Sequence, residues 1–242
     1  MTNMGESERF THAIRLGDDA LILGQRLSEW CGHAPMLEVD LSLANIGLDL
    51  LAQATHFLGV AGEVEGKGRD ADKLAFHRDV LDFRNCLLVE QPNGDFAQTI
   101  ARQFLFSNWQ ELLLIEVASA PDMALSDIAR KAVKEVTYHC RFANEWVVRL
   151  GDGTEESRKR MIEGLDWMWR FVDELFDAKD GAASLRPEWD KRIAAVLSEA
   201  GLEAPKPRRG TMGGRKGHHS EHLGHLLSEM QFLQRAYPGA RW

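Results

Sequence analysis

Residues 134–153 read KEVTYHCRFANEWVVRLGDG, a helical pattern that carries a carboxylate, Glu135, and an imidazole, His139. Metal-binding bundles that activate dioxygen place Glu-x-x-His on such helices, so that both ligands project into the bundle interior. Here Glu135 and His139 stand four apart, and Tyr138 occupies the place of the histidine. At 100° per residue both fall inside the apolar arc of Ile128, Ala132, Phe142, Trp146 and Leu150, opposite Lys131, Lys134, Arg141 and Arg149. The preceding helical stretch repeats the anomaly, with Glu111 lying among Ile100, Phe104, Ile115 and Ala118. A turn at Pro121-Asp122 makes the two stretches antiparallel neighbours. Glu111 lies ten positions before Pro121 and Glu135 fourteen after it, an axial offset of about 6 Å.

Carboxylates in a core must be paired, hydrogen-bonded, protonated or metal-bound. Two readings of Glu111, Glu135 and His139 follow: a buried hydrogen-bond network that fixes helix register, or the relic of a metal site. A full di-iron bundle takes one Glu from each of two helices and Glu-x-x-His from each of two others. No histidine of this chain has an acid three places before it. The first two helices would have to supply the missing half. They offer Asp19 at the border of an apolar face, and the polar stripe Ser42, Asn45, Asp49, Gln53 and His56, without a histidine at ligand spacing beside an acid. At most half a site survives, which favours a hydrogen-bond network over a mononuclear, irregular or di-iron metal site.

Two further segments carry chemical groups. HHSEH, residues 218–222, fits the H-x-x-E-H pattern of a zinc hydrolase. Gly213, Gly214 and Gly217 set His218 at or before a helix start, so capping, packing or interface contact is the competing reading. The loop 201–219 gathers Lys206, Arg208, Arg209, Arg215 and Lys216 in an otherwise acidic chain. It reads either as a solvated linker or as a clamp on an acidic surface.

The elements that must position these groups are helices. Apolar residues recur at helical spacing almost throughout, and strand-like alternation is nearly absent. The first helix runs from Thr11 to about Cys31. The second, from Pro35 to about Glu65, is apolar around most of its circumference, which predicts a place in the middle of a bundle. A shorter helix over 70–84, long helices over 96–119 and 121–151, a sixth over 154–176, a short one over 187–200 and a last one over 220–236 complete the pattern. The fold class is all-α, a single domain of long antiparallel helices over 1–242. Its 242 residues suffice for a sizeable core, and the net charge of −8 disfavours nucleic acid as a partner. Cys31, Cys86 and Cys140 are three in number and far apart, which suggests reduced cytoplasmic thiols. No apolar run reaches the length needed to span a membrane, and the first residues lack a signal-peptide pattern.

Several segments, in order along nearly the whole chain, resemble one family. They are LGDDALILGQRLSEWCGHAPMLEVDLSLANIGLDLLAQATHFL (16–58), LLVEQPNGDFAQTIARQF (87–104), KEVTYHCRF with RLGDGTEES, and GHHSEHLGHLLSEMQFLQRAYPGARW (217–242). They resemble the C subunit of the bacterial multicomponent ring-1,2-phenylacetyl-CoA epoxidase. The resemblance implies a ferritin-like fold and a structural role in aerobic phenylacetate degradation. It also implies a catalytic A subunit as partner, with the di-iron centre in that subunit, and NADPH electrons arriving through a reductase subunit. No cofactor would be bound by this chain itself. Glu111, Glu135 and His139 would then be remnants, or a network in the metal's place, and the five loop cations would be candidates for an acidic partner surface or coenzyme A phosphates. Self-association without the partner is a further expectation. Two alternatives stand beside it: an independent ferritin-like oxygenase with irregular ligands, and a hydrolase built on HHSEH.

Overall fold

A computed structural model describes residues 5–177, 182–206 and 210–240. Among these the architecture is all-α, without strands: α1 Glu6–Ser28, α2 Leu37–Glu65, α3 Ala71–Phe76, α4 Leu87–Glu90, α5 Phe96–Ala118, α6 Met123–Gly151, α7 Glu155–Met168, α8 Arg186–Glu199, α9 Glu221–Met230 and α10 Phe232–Ala236. The residues gather into two compact units. One comprises 1–91, 120–128 and 213–242, and the other 92–119 and 129–212.

In the first unit α1 and α2 form an antiparallel hairpin whose backbones come close. A Cβ on Gly17 would lie 2.6 Å from Leu58 Cδ2 and 3.2 Å from the Leu58 backbone nitrogen, so only glycine allows this approach. Helix α1 begins earlier than its apolar pattern suggests. The Glu8 carboxylate accepts the Gly5 N–H at 3.2 Å, which supplies a start signal upstream of the periodic residues. Helix α2 is not enclosed on all sides. Val39, Leu43, Ile46, Leu50, Phe57 and Leu58 are buried, but Leu37, Leu41 and Leu48 face solvent.

Three expected helices break, and the one over 154–176 is α-helical only to Met168 and passes into a 3-10 helix over Trp169–Phe176. The stretch over 70–84 is helical only to Phe76, and further along the N–H groups of Arg84 and Cys86 go to the Asp18 and Asp19 carboxylates of α1. The last helix divides at Gln231, whose Nε2 donates to the carbonyls of Ala75 and Arg78 at 2.9 and 3.0 Å. A short 3-10 turn at Val80–Asp82 and α4 fill the gap before α5.

In the second unit the helix covered on nearly every side is α5, whose sequence looks less apolar than that of α2. Its buried polar groups close on their own turn. Ser107 Oγ donates to the Gln103 carbonyl at 2.6 Å, and Asn108 Nδ2 to that of Phe104 at 2.9 Å. Trp189 of α8 is fully buried and donates Nε1–H to the Leu105 carbonyl at 3.1 Å, with Trp169 and Phe176 packed on its ring. Thr154 caps α7 as its sequence implies, accepting the Ser157 N–H at 3.1 Å.

The start of α6 is tied to α1 through Asp122, which pairs with Arg9. Burial works to raise the Asp122 carboxyl, but Arg9 and the N–H groups of Leu125 and Ala124 hold it below the usual carboxylate range. A carboxyl depressed by folding contributes stability above its unfolded pKa and loses it as pH falls through the folded one. Asp122→Asn should therefore melt below the parent at neutral pH. The difference should shrink steadily on acidification below pH about 4, as thermal melts across a pH series would record.

Candidate functional site

The densest charged assembly lies in the first unit and is built on the GDD of α1. Asp18 and Asp19 are 0% and 2% exposed, in the interior of a helix. Asp18 takes both terminal nitrogens of Arg78, one at 3.0 Å, and the Arg84 N–H at 2.8 Å. Asp19 takes Arg215 Nη2 at 2.7 Å and the Cys86 N–H at 2.8 Å. A third carboxylate, Glu90, is equally buried. It accepts from Asn85 Nδ2 at 2.9 Å and from the Ser220 N–H at 2.6 Å, and it faces His219 Nδ1 at 2.7 Å. The other nitrogen of His219 faces the Phe83 carbonyl at 3.0 Å. Each ring nitrogen of His219 thus meets a buried oxygen, one from Glu90 and one from the backbone. Arg26 completes the set, donating to the Glu90 carbonyl at 2.8 Å and to that of His222 at 3.2 Å.

This arrangement clamps residues 78–91 and 213–222 onto α1. Its carboxylates are saturated by donors. Desolvation lifts the Asp19 carboxyl above its usual range against the pull of Arg215 and the Cys86 N–H, so the pairing offsets a burial cost and is not a pure gain. Gly214 belongs to the same clamp, since a Cβ there would meet the Asn85 carbonyl at 2.3 Å.

The residues singled out from sequence fall in different places. In the second unit the antiparallel register of α5 and α6 brings Thr137 level with Glu111. Thr137 Oγ1 donates to Glu111 Oε1 at 2.7 Å, and Arg192 of α8 holds Oε2 at 2.6 Å. Glu135 and His139 lie two residues to either side of Thr137, a rotation of about 200°, and so occupy a different face of α6 from the one Glu111 meets. His139 is fully buried and Glu135 half-buried. The expected mutual contact of all three is thus corrected at Glu111, whose partners are a hydroxyl and a guanidinium. The error lies in register, because the turn length fixes the axial offset but not the facing direction.

Helix α9 begins at Glu221, so His218 lies outside it and is exposed. The one-turn separation that H-x-x-E-H requires is absent. Among the loop cations, Arg215 is buried on Asp19 and is unavailable to a partner or a phosphate. Lys206 and Lys216 are exposed, and Arg208 and Arg209 lie outside the described residues. Among the described residues no group of three or more His, Cys, Asp or Glu side chains is placed to hold a metal ion.

An open groove of about 640 Å³ runs along the α6 face that meets Glu111, lined by Asn108, Glu111, Thr137, Cys140, Asn144 and Arg192 among others. Its Glu111 is matched by Arg192, and Asn108 Nδ2 donates to Asn144 Oδ1 at 2.9 Å. Burial, and then the nearby Glu111 carboxylate, push the Cys140 thiol well above its usual range, with Arg192 opposing, so this sulfur is a poor nucleophile at neutral pH.

Asp18, Asp19 and Glu90 are the charged residues least legible in the sequence. The available signal is an acid pair in the middle of an apolar helical run, whose arginine partners Arg78 and Arg215 lie far along the chain.

Antiparallel pairs of long helices, α1 with α2 and α5 with α6, place the chain in the ferritin-like helical class, here with the buried carboxylates of Asp18, Asp19 and Glu90 held by arginines, a histidine and backbone N–H groups. Residues 1–242 match the family described as phenylacetic acid catabolic protein, and the chain belongs to that family. It is 49% identical over 243 residues to the C subunit of 1,2-phenylacetyl-CoA epoxidase from Escherichia coli (strain K12), an alignment covering 96% of this chain and 98% of the relative.

Arg215→Met leaves Asp19 buried without its guanidinium and should cost about 3–5 kcal/mol, read as a lower urea midpoint. Adding Asp19→Asn should return part of that loss. Amides of 213–230 should lose hydrogen-exchange protection in the single variant. Cys31 is exposed while Cys86 and Cys140 are buried, so a thiol reagent should label the native protein at Cys31 alone. Cys31→Ser should leave it unlabelled until it is unfolded, as intact mass would show.

Proposed function

We propose that this chain is the C-type subunit of a multicomponent phenylacetyl-CoA epoxidase, a structural partner of a catalytic subunit in aerobic phenylacetate degradation. The observation that carries the reading is the 49% identity to the epoxidase C subunit across 96% of the chain. Identity spread over the full length, instead of confined to one motif, favours a shared assembly role.

The donor set supports a non-catalytic part in that assembly. A di-iron centre needs several carboxylates with free oxygens on facing helices. In this chain Glu111 is taken by Arg192 and Thr137, Asp19 by Arg215, Asp18 by Arg78 and Glu90 by His219. With these four carboxylates already satisfied, the reading is that this chain carries no metal of its own, and no step through one is assigned to it. The oxidising centre belongs in the partner subunit, and electrons from NADPH enter through a reductase subunit. What this chain contributes is a rigid surface.

A cytoplasmic setting accords with this reading, and among the described residues no helix is long and apolar enough to cross a membrane. Lys206 and Lys216 remain available to contact an acidic partner surface or coenzyme A phosphates. Arg215 does not, because it is buried against Asp19.

Co-expression with the catalytic subunit of the same complex, followed by assay on phenylacetyl-CoA with a reductase present, tests the proposal. The pair should turn over the substrate, and this chain alone with the reductase should not. Turnover by this chain without the catalytic subunit would overturn it, as would full activity of the catalytic subunit in its absence.

A further inference from the structure

Helix α2 carries an apolar strip that the first unit leaves uncovered. Leu37, Leu41 and Leu48 are 70%, 56% and 64% exposed, and Met36 at the helix start is 48% exposed. Their spacing of four and seven residues puts the three leucines within about 40° of one another, and the exposed Ala52 and Thr55 continue the line. From Leu37 to Thr55 the strip runs for about 27 Å. Isolated exposed leucines need no explanation, but an aligned set on one long helix marks a contact surface.

The charge of the helix decides what can cover it. Between Leu37 and Glu65 there is no lysine or arginine, while Glu38, Asp40, Asp49, Glu63 and Glu65 all belong to α2. Glu38, Asp49 and Glu63 lie along one flank of the strip. The cations just beyond the end of the helix, Lys67 and Arg69, are bound to Glu65 and add nothing to that flank. A second copy of this chain docked through the same strip would set acids against acids, since a two-fold interface is self-complementary in position but not in charge. An anionic lipid surface or a nucleic acid is repelled for the same reason.

The geometry points to α2 as the docking helix for a different polypeptide, one that presents an apolar helix face flanked by lysine or arginine. Resting on the assembly role proposed above, that polypeptide is the catalytic subunit. The leucines would supply the dry centre of the interface and the acids its steering rim.

The test uses the full-length chain and the catalytic subunit, with affinity measured by titration calorimetry and rates by surface plasmon resonance. Because Leu41 and Leu48 are exposed, Leu41→Glu with Leu48→Glu should leave the thermal melt unchanged yet weaken binding at least tenfold. Glu38→Lys with Glu63→Lys should slow association and flatten its dependence on salt. Met123→Ser, at an exposed apolar residue outside α2, should bind as the parent does. Equal affinity of the leucine variant and the parent would overturn the strip as the dock. Unchanged association by the lysine variant would overturn a basic partner face. If the leucine variant instead dissolves a homodimer formed by this chain alone, the occupant is a second copy and the inference falls. Failure of the unaltered chain to bind at all would overturn the assembly reading itself, and this occupant with it.

Discussion

Two adjacent aspartates in the interior of a helix impose most of the order in the first unit. Asp18 and Asp19 point from α1 into space without water, where an ionised carboxylate demands several donors. No single neighbouring helix provides them. The chain meets the demand from far away in sequence: Arg78, Arg84 N–H and Cys86 N–H from one segment, Arg215 from another. Each of these donors fixes a stretch of backbone that has little helical order of its own. The irregular path between α3 and α5 and the glycine-rich approach to α9 are shaped by the aspartates they serve. Glu90 and His219 then join those two segments to each other.

The same constraint explains what is legible in the sequence. The long helices follow from apolar spacing, and α1, α2, α5, α6 and α8 lie close to where periodicity places them, while α7 ends eight residues short of the expected Phe176. Periodicity says nothing about bonds to distant groups, such as those of the Arg84 and Cys86 N–H to Asp18 and Asp19 or of Gln231 Nε2 to the Ala75 and Arg78 carbonyls, and it gives no sign of the breaks after Phe76 and at Gln231. The enclosed helix differs from the expected one for a related reason. Apolar content makes α2 look central, whereas α5 is the covered one, and its Ser107 and Asn108 hide their polarity by bonding back one turn. Polar letters in a helix measure burial poorly when the side chain can satisfy itself locally.

The candidate residues divide along similar lines. Glu111, Glu135 and His139 follow from a sound argument, that acids in an apolar arc need partners. Its weak step is the choice of partner, because two residues of register along α6 separate one face from the opposite one. Arg215 escapes the sequence because a basic, glycine-rich loop is usually solvated, and nothing near it announces a carboxylate waiting 196 residues away. Asp19 stands out only as an oddity at the edge of an apolar face. Pairing it with Arg215 requires the fold.

A ferritin-like oxygenase and a scaffold of the same class face opposite demands on their interior acids. The first must hold carboxylate oxygens open for metal, which leaves like charges facing one another and costs stability until the metal binds. The second can fill every oxygen with a guanidinium, an imidazole or an N–H and gain rigidity instead. In this chain Asp18, Asp19 and Glu90 of the first unit have taken the second course, and Glu111 in the other unit has done the same with Arg192 and Thr137. Along the outside of α2 the exposed leucines are edged with acids, the kind of surface that another polypeptide covers.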